Sequence, residues 1–407
     1  MAEILAHSFH AVEPGAAVKK YLHDTPLPPS KRVFALGLGK ASCAMTQALA
    51  EEITLADALV ITKHASPLTV QPVTVIEGNH PIPGRDSHYA GTAAIKFLSQ
   101  LTKDDLLICL ISGGGSALMI APRIPLEDLQ SITSALLACG ARIDEINTLR
   151  RHLDKLKGGG VASMANGAQI YSLLLSDVAG DALEAIASGP TAPDPTTLAD
   201  AISILEKYRL KEIIPASILP ALTETPKPDN PIFRRVHNSI IASNAIALHA
   251  ARARAEILGY QTQIIESNLE GEAHVRGRNV ALLLKELLGE LKRPFCLLAG
   301  GETTVTIRGN GKGGRNQELA LAAVDILAGL KDVMLVSIAT DGEDGPTDAA
   351  GAFVTGETAQ RAESLGMFAA AHLLNNDAYP YFAEIDHLIK TGPSGTNVND
   401  LVICLAF

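Results

Sequence analysis

The run Leu106-Leu-Ile-Cys-Leu-Ile111 is apolar at every position and passes directly into Ser112-Gly-Gly-Gly-Ser116. A strand that is apolar on both faces must be covered on both, as happens in a parallel sheet with helices on either side. Glycines at its end let backbone come close to a ligand and turn several amides toward one anion. The same kind of run recurs at Val33–Leu36, Ala58–Thr62, Val73–Glu77 and Gln169–Leu175, alternating with helix-length stretches such as Ser42–Glu52 and Ser87–Gln100. This alternation predicts an α/β fold with mainly parallel sheets. Pro215, Pro220, Pro226, Pro228 and Pro231 interrupt it, which places a domain boundary near residue 230 and gives domains 1–230 and 231–407. Beyond the prolines the pattern resumes. Strands are expected at Ser239–Ala242, Gln261–Ile265, Phe295–Leu298, Val333–Ile338 and Leu401–Leu405, with helices at Ala245–Leu258, Glu272–Leu291 and Glu318–Leu330. A chain of 407 residues exceeds what one core supports, in keeping with two domains.

Charge and composition exclude several classes of partner. With 34 Lys+Arg against 44 Asp+Glu the net charge is -10, which argues against a nucleic-acid surface but not against a small anion in a locally basic cleft. Aromatics make up 4% and Trp is absent, so stacking platforms are disfavoured. The five cysteines are widely spaced without a CxxC pair, arguing against a thiolate zinc site and for a reducing compartment. No run of eighteen apolar residues occurs and Met1–Lys20 has no signal-peptide pattern. The expectation is a cytoplasmic protein with no membrane partner.

Three glycine loops and two acidic runs fall where ligands bind in open α/β sheets, beyond the carboxyl ends of strands. Gly37-Leu-Gly-Lys-Ala-Ser42 resembles half of a dinucleotide fingerprint, but Ser42 replaces the third glycine and Lys40 sits in the turn. Lys40 suits a phosphate or carboxylate; a solvated surface lysine beside a structural turn is the plainer alternative. Ser112, Gly113, Gly114, Gly115 and Ser116 form the second loop, a candidate anion cradle. Gly309–Glu318 is the third, running through Gly314, Arg315 and Asn316 into a helix, with Arg315 offering a planar fork for an anion. The acids are Asp177 and Asp181 after one strand and Asp341 and Asp344 after another. Mg²⁺ takes one or two carboxylates and keeps water or phosphate oxygens, so these four are candidate metal ligands. Ser188–Pro195 reads as a connector, and His80, His152, His237 and His372 have no ligand-type spacing. Walker-type, HExxH and GxSxG signatures are missing.

Taken in order, the motifs resemble the class II glycerate 2-kinases, whose C-terminal part is the MOFRL domain. The carrying segments include Gly37-Leu-Gly-Lys-Ala41, Gly78-Asn-His-Pro-Ile-Pro83, Ile111-Ser-Gly-Gly-Gly-Ser-Ala117, Asn147-Thr-Leu-Arg150 and Lys155-Leu-Lys-Gly-Gly-Gly160. They continue through Ser176-Asp-Val-Ala-Gly-Asp181, Ile186-Ala-Ser-Gly-Pro190, Ala299-Gly-Gly-Glu-Thr303 and Gly313-Gly-Arg-Asn-Gln-Glu318. The last are the run Ala339–Gly351 and Thr391-Gly-Pro-Ser-Gly-Thr-Asn-Val-Asn-Asp400. The resemblance implies a Rossmann-like N-terminal domain, a MOFRL-type region at about 295–400, and an active site in the interdomain cleft. It also implies phosphorylation of D-glycerate at its 2-hydroxyl by ATP with Mg²⁺ or another divalent cation. A homodimer is the assembly to be tested. The family's functional lysine and arginine fall on Lys40 and Arg315, while Asp177 and Asp341 are candidate catalytic carboxylates. The glycine loop Ser112–Ser116, Asp181, Gly300, Gly301, Glu302, Thr303, Gly314 and Asn316 are expected to bind substrate or nucleotide. The rival is an NAD(P)H-dependent hydroxypyruvate reductase, against which the incomplete glycine fingerprint counts.

Overall fold

The computed structural model describes residues 1–69 and 71–407. Contacts divide it into two compact units, Pro14–Ile241 and Met1–Glu13 with Ala242–Phe407. The first contains a sheet of β1 (Val33–Leu38), β2 (Asp57–Thr62), β3 (Thr74–Glu77), β4 (Leu106–Ile111), β5 (Gln169–Leu175) and β6 (Val236–Ala242). Their spatial order is β3-β2-β1-β4-β5-β6, the order of a dinucleotide-type doubly wound sheet. The pairs β1–β2, β1–β4, β2–β3 and β4–β5 are all parallel, so the chain after each of these five strands emerges at one edge. Leu36, Leu38, Leu107, Cys109 and Ile111 lie in one core with Phe97, Leu98 and Leu174. A separate apolar cluster joins the helices Leu126–Ala138, Ile143–Leu153 and Leu198–Lys207 through Leu129, Ile132, Leu149, Ala201 and Leu205.

The proline-rich segment does not end the first sheet. After Pro231 the chain makes a short 3₁₀ turn, Pro231–Arg235, and then adds β6 to that sheet, so the contact division falls at Ile241 and not near 230. Met1–Glu13 belongs to the other unit because the helix Ala2–Ala11 packs on the helix Asn244–Ile257 and Thr396 Oγ1 donates to the Val12 carbonyl at 2.8 Å.

The second unit's sheet holds β7 (Gln261–Leu269), β8 (Phe295–Gly301), β9 (Val333–Ala339), β10 (Gly351–Thr355), β11 (Leu388–Ile389) and β12 (Asp400–Ala406), in the order β11-β10-β9-β12-β8-β7. β7, β8, β9 and β11 run in one direction, as the alternation implied. β12 runs the opposite way between β8 and β9, making both of those pairings antiparallel. Its first residue, Asp400, therefore lies opposite Gly301 and Ala339, at the edge where β8 and β9 end. Among the described residues, no helix is long and apolar enough to cross a membrane.

Candidate active site

In the first unit, the site is set by where the strand order reverses. β1 is flanked by β2 and β4, and in sheets of this kind ligands bind beyond the carboxyl ends of the strands at such a reversal. Gly39 turns the chain there with φ +120, and an added Cβ would stand 2.4 Å from the Ser112 carbonyl oxygen. Only glycine lets the β1 turn and the β4 loop approach this closely. The two are then stitched together: Lys40 N donates to Gly113 O at 3.0 Å and Ala41 N to Ser112 Oγ at 3.0 Å. The two amides that lead into the helix Ser42–Glu52 are thus engaged within the protein. The Lys40 side chain is exposed, and its ammonium has no partner among the described residues.

The second loop is held from below. Lys157, itself buried, donates from Nζ to the carbonyls of Ser116 at 2.7 Å and Met119 at 3.1 Å, and burial pushes its pKa down. Ser116 Oγ and Ser188 Oγ are 2.7 Å apart. Ala187 and Ser188 have φ values of 51 and 61. Non-glycine residues reach that left-handed region only where the surroundings enforce it. The Ile186–Ser188 turn is therefore part of the site and not simply a connector. The amides of Gly113, Gly114, Gly115 and Ser116 donate to no protein acceptor among the described residues. Asp177 is half-buried beside them, its carboxylate 2.1 Å from where a Gly113 Cβ would be. Asp181 follows on a 3₁₀ turn with φ 56, also half-buried.

His80 completes this group, although its spacing in the chain gave no sign of it. Its Cδ2 and Nε2 lie 3.2 and 3.3 Å from the position of a Gly114 Cβ, and Lys40 Cγ lies 3.4 Å from the same point. Burial, then the charges of Lys40 and Lys63, push the imidazole below its ordinary pKa. The parallel β1–β2–β3 order brings the three loops carrying Lys40, Lys63 and His80 to one edge.

The second unit's site is organised by ion pairs. Arg315, first residue of the helix Arg315–Leu327, donates from Nε to Asp400 Oδ2 at 2.6 Å and from Nη2 to Asp400 Oδ1 at 3.0 Å. Nη1 reaches Glu302 Oε1 at 2.5 Å. These bonds use three of the guanidinium's five N–H donors. Burial lifts Asp400 to about 6 while the Arg315 fork pulls it down, and the paired carboxylates push Arg315 up. Asp344, expected as a metal candidate, caps this helix instead. Its Oδ1 accepts from Asn316 N at 3.0 Å and its Oδ2 from Gln317 N at 2.8 Å. The N-cap residue, Gly314, has no side chain to do this. The Asn316 side chain is buried and accepts from Ser337 Oγ at 2.7 Å, so it serves packing and not an open cleft. Asp341 is half-buried and accepts from Glu343 N at 3.1 Å. Gly300 faces Asn244 Oδ1, Gly301 crowds the Leu269 backbone, and Thr303 is buried.

The third glycine loop is not an open cradle. The amides of Gly309, Asn310, Gly311 and Lys312 bond to Asn376 Oδ1, Asn375 Oδ1, Asn375 O and Asp377 Oδ1 at 2.9–3.1 Å. Its glycines allow close packing on that segment and leave Arg315 as the loop's contribution to an anion site. Among the described residues, no three His, Cys, Asp or Glu side chains gather as a metal cage. Mg²⁺ bound chiefly through phosphate oxygens needs only one or two carboxylates, and Asp177 beside the unbonded amides fits that demand.

Known proteins share this organisation. The model of a domain of unknown function (DUF4147) matches residues 1–223, and that of the MOFRL family matches residues 295–400. The chain is 42% identical to the glycerate 2-kinase of Pyrococcus horikoshii over 389 residues, covering 92% of this chain and 87% of that one. It is 40% identical to the D-glycerate 2-kinase of Thermotoga maritima over 413 residues, covering 99% and 97%. A crystal structure of a Thermotoga maritima glycerate kinase superposes with a TM-score of 0.94 at 40% identity, covering 100% of this chain and 98% of the other.

Proposed function

Because the chain belongs to the glycerate kinase (MOFRL) family, we propose that it transfers the terminal phosphoryl group of ATP to the 2-hydroxyl of D-glycerate, giving 2-phosphoglycerate and ADP. The observation that carries this reading is the exposed Lys40 ammonium, without a partner among the described residues, beside the amides of Gly113–Ser116, which also have none there. Phosphoryl transfer depends on positioning and charge neutralisation more than on covalent chemistry. Lys40 supplies a mobile cation and the glycine loop fixed donors. Arg315, with two N–H groups unspent, supplies a rigid cation for the glycerate carboxylate or the transferring group. Asp177 and Asp181 would hold Mg²⁺, with Asp341 as a separate candidate in the second unit, and the ion would supply charge neutralisation to the phosphates. A cytoplasmic location belongs to the same proposal.

The strand order of the first sheet would also suit a nicotinamide dinucleotide, so the test has two arms. Purified protein with D-glycerate, ATP and Mg²⁺ is expected to release ADP in step with a product that phosphorus NMR identifies as the 2-isomer. NADH with hydroxypyruvate is expected to show no oxidation. Formation of the 3-isomer, or NADH turnover without ADP release, overturns the proposal.

A further inference from the structure

His80 lies at the site, yet the charge-neutralising chemistry above gives it no task. Its ring is half-buried, and neither nitrogen has a hydrogen-bond partner among the described residues. The ring nitrogens are not sealed in the core, so a substrate hydroxyl can reach them without displacing a protein partner. Its surroundings hold it firmly. An added Cβ at Gly78 would stand 2.3 Å from the Leu118 carbonyl oxygen, so the backbone before His80 lies against the end of the glycine-loop helix. Asn79 N donates to Ser87 Oγ at 2.9 Å, and Asn79 Nδ2 occupies Asp86 Oδ2 at 2.9 Å, which ties up the nearby carboxylate. The ring edge bearing Nε2 meets the loop at Gly114, the point the Lys40 stem also approaches. A nucleophilic hydroxyl must come to this place if Lys40 neutralises the transferring phosphoryl group.

We propose that His80 is the general base of the reaction, accepting the proton of the glycerate 2-hydroxyl as that oxygen attacks the γ-phosphorus of ATP. The inference rests on the kinase reading above. The step balances: the O–H pair becomes the new O–P bond, the proton passes to the imidazole, and the bond from γ-phosphorus to the β–γ bridging oxygen breaks. ADP leaves with that electron pair, and the imidazolium returns its proton to solvent. The charged groups facing the ring are Lys40 from the β1 loop and Lys63 from the β2 loop; Asp177, from the β5 loop, stands against Gly113 of the β4 loop. Two neighbouring cations and partial burial favour the neutral ring, the form that can take a proton at neutral pH.

The test compares kcat and kcat/KM across pH for the wild type, His80→Gln and Lys63→Met, with folding checked by circular dichroism. For the wild type an ascending limb below neutrality is expected. His80→Gln should lower kcat about a hundredfold or more, keep the KM for ATP within a few-fold, and abolish the limb. Lys63→Met removes a charge that depresses the ring, so its limb should move to higher pH even if His80→Gln fails to fold. An unmoved limb in Lys63→Met, or a limb surviving in a folded His80→Gln, overturns the assignment. A raised KM for ATP with kcat unchanged also overturns it, making His80 a nucleotide contact. A wild type that releases no ADP breaks the kinase reading instead, so the two failures are distinguishable.

Discussion

Lys40 and Arg315 each follow a glycine turn at the carboxyl edge of a sheet, but their charges are set in opposite ways. Lys40 is exposed and, among the described residues, unpaired, on a flexible stem beside amides that also lack partners there. Arg315 is clamped by Asp400 on two sides and by Glu302 on a third. A lone lysine keeps its full charge for a ligand and adds little to the fold. A half-buried, bidentate arginine is fixed before the ligand comes, and the buried carboxylate that fixes it depends on the pairing in return. One half of the chemistry is mobile and the other is built into the structure.

The contrast can be broken most sharply at Arg315. Arg315→Ala leaves Asp400 buried without its counter-charge, so stability should fall by about 3–5 kcal/mol together with activity. Arg315→Lys restores charge without the fork and should recover stability only in part. Urea unfolding beside steady-state kinetics checks both; an Arg315→Ala protein of wild-type stability would show that the pair does not hold the fold. Lys40→Ala should behave differently. Its kcat should drop about a hundred- to a thousandfold, with the urea midpoint unchanged. Turnover near the wild-type rate would remove Lys40 from the mechanism.

A smaller effect is expected beneath the glycine loop. Lys157→Met keeps the volume but removes the ammonium that gathers the Ser116 and Met119 carbonyls. Relief from burying a charge offsets the lost bonds, so stability should change little. The loop should loosen, with kcat/KM falling about tenfold. If kcat/KM were unchanged, the four unbonded amides would not need this support.

What the sequence disclosed, and what it hid, follows from the range of each interaction. Continuous apolar runs mark strands buried on both faces, so β1, β4 and β5 were legible, with the glycine loops at the ends of β1 and β4 and the acidic run after β5. The placement of β12 between β8 and β9 was not, because an apolar run carries no record of its neighbours. Asp400 was hidden for the same reason, lying 85 positions from Arg315. Asp344 looked like a ligand because an Asp-rich loop after a strand suits a metal equally well. Its capping role depends on a bare glycine 30 positions earlier at the helix start. His80 stands in the motif Gly78–Pro83, but its place beside Lys40 was not legible, since the order of parallel strands, and not spacing in the chain, carries it there. Ser188, the start of the Ser188–Pro195 stretch read as a connector, stands in left-handed backbone with Ala187, and such backbone at non-glycine residues leaves no mark in composition.

The opposite edge of the first sheet gives the smallest prediction and a control for the others. There Asp105, just before β4, accepts from Arg32 Nε at 2.9 Å, Arg32 Nη2 at 2.7 Å and both Thr102 N and Oγ1 at 2.8 Å. Hydrogen bonding to Arg32 holds this carboxyl at about 2, below its ordinary 3.8. A depressed carboxyl stabilises the fold above the unfolded-chain value and loses that contribution as pH falls through the folded one. Wild-type stability should therefore decline between about pH 4 and about pH 2 by roughly 1–2 kcal/mol from this group, the lower figure reflecting the exposure of Arg32. Asp105→Asn should lack that part of the acid slope and be weaker by a similar amount at neutral pH. Its kcat should be untouched, because the pair lies at the amino ends of the strands while Lys40 and the glycine loop lie at their carboxyl ends. A kcat that fell with Asp105→Asn would mean that the two edges of the sheet are coupled, and the division between a structural edge and a chemical edge would have to be abandoned.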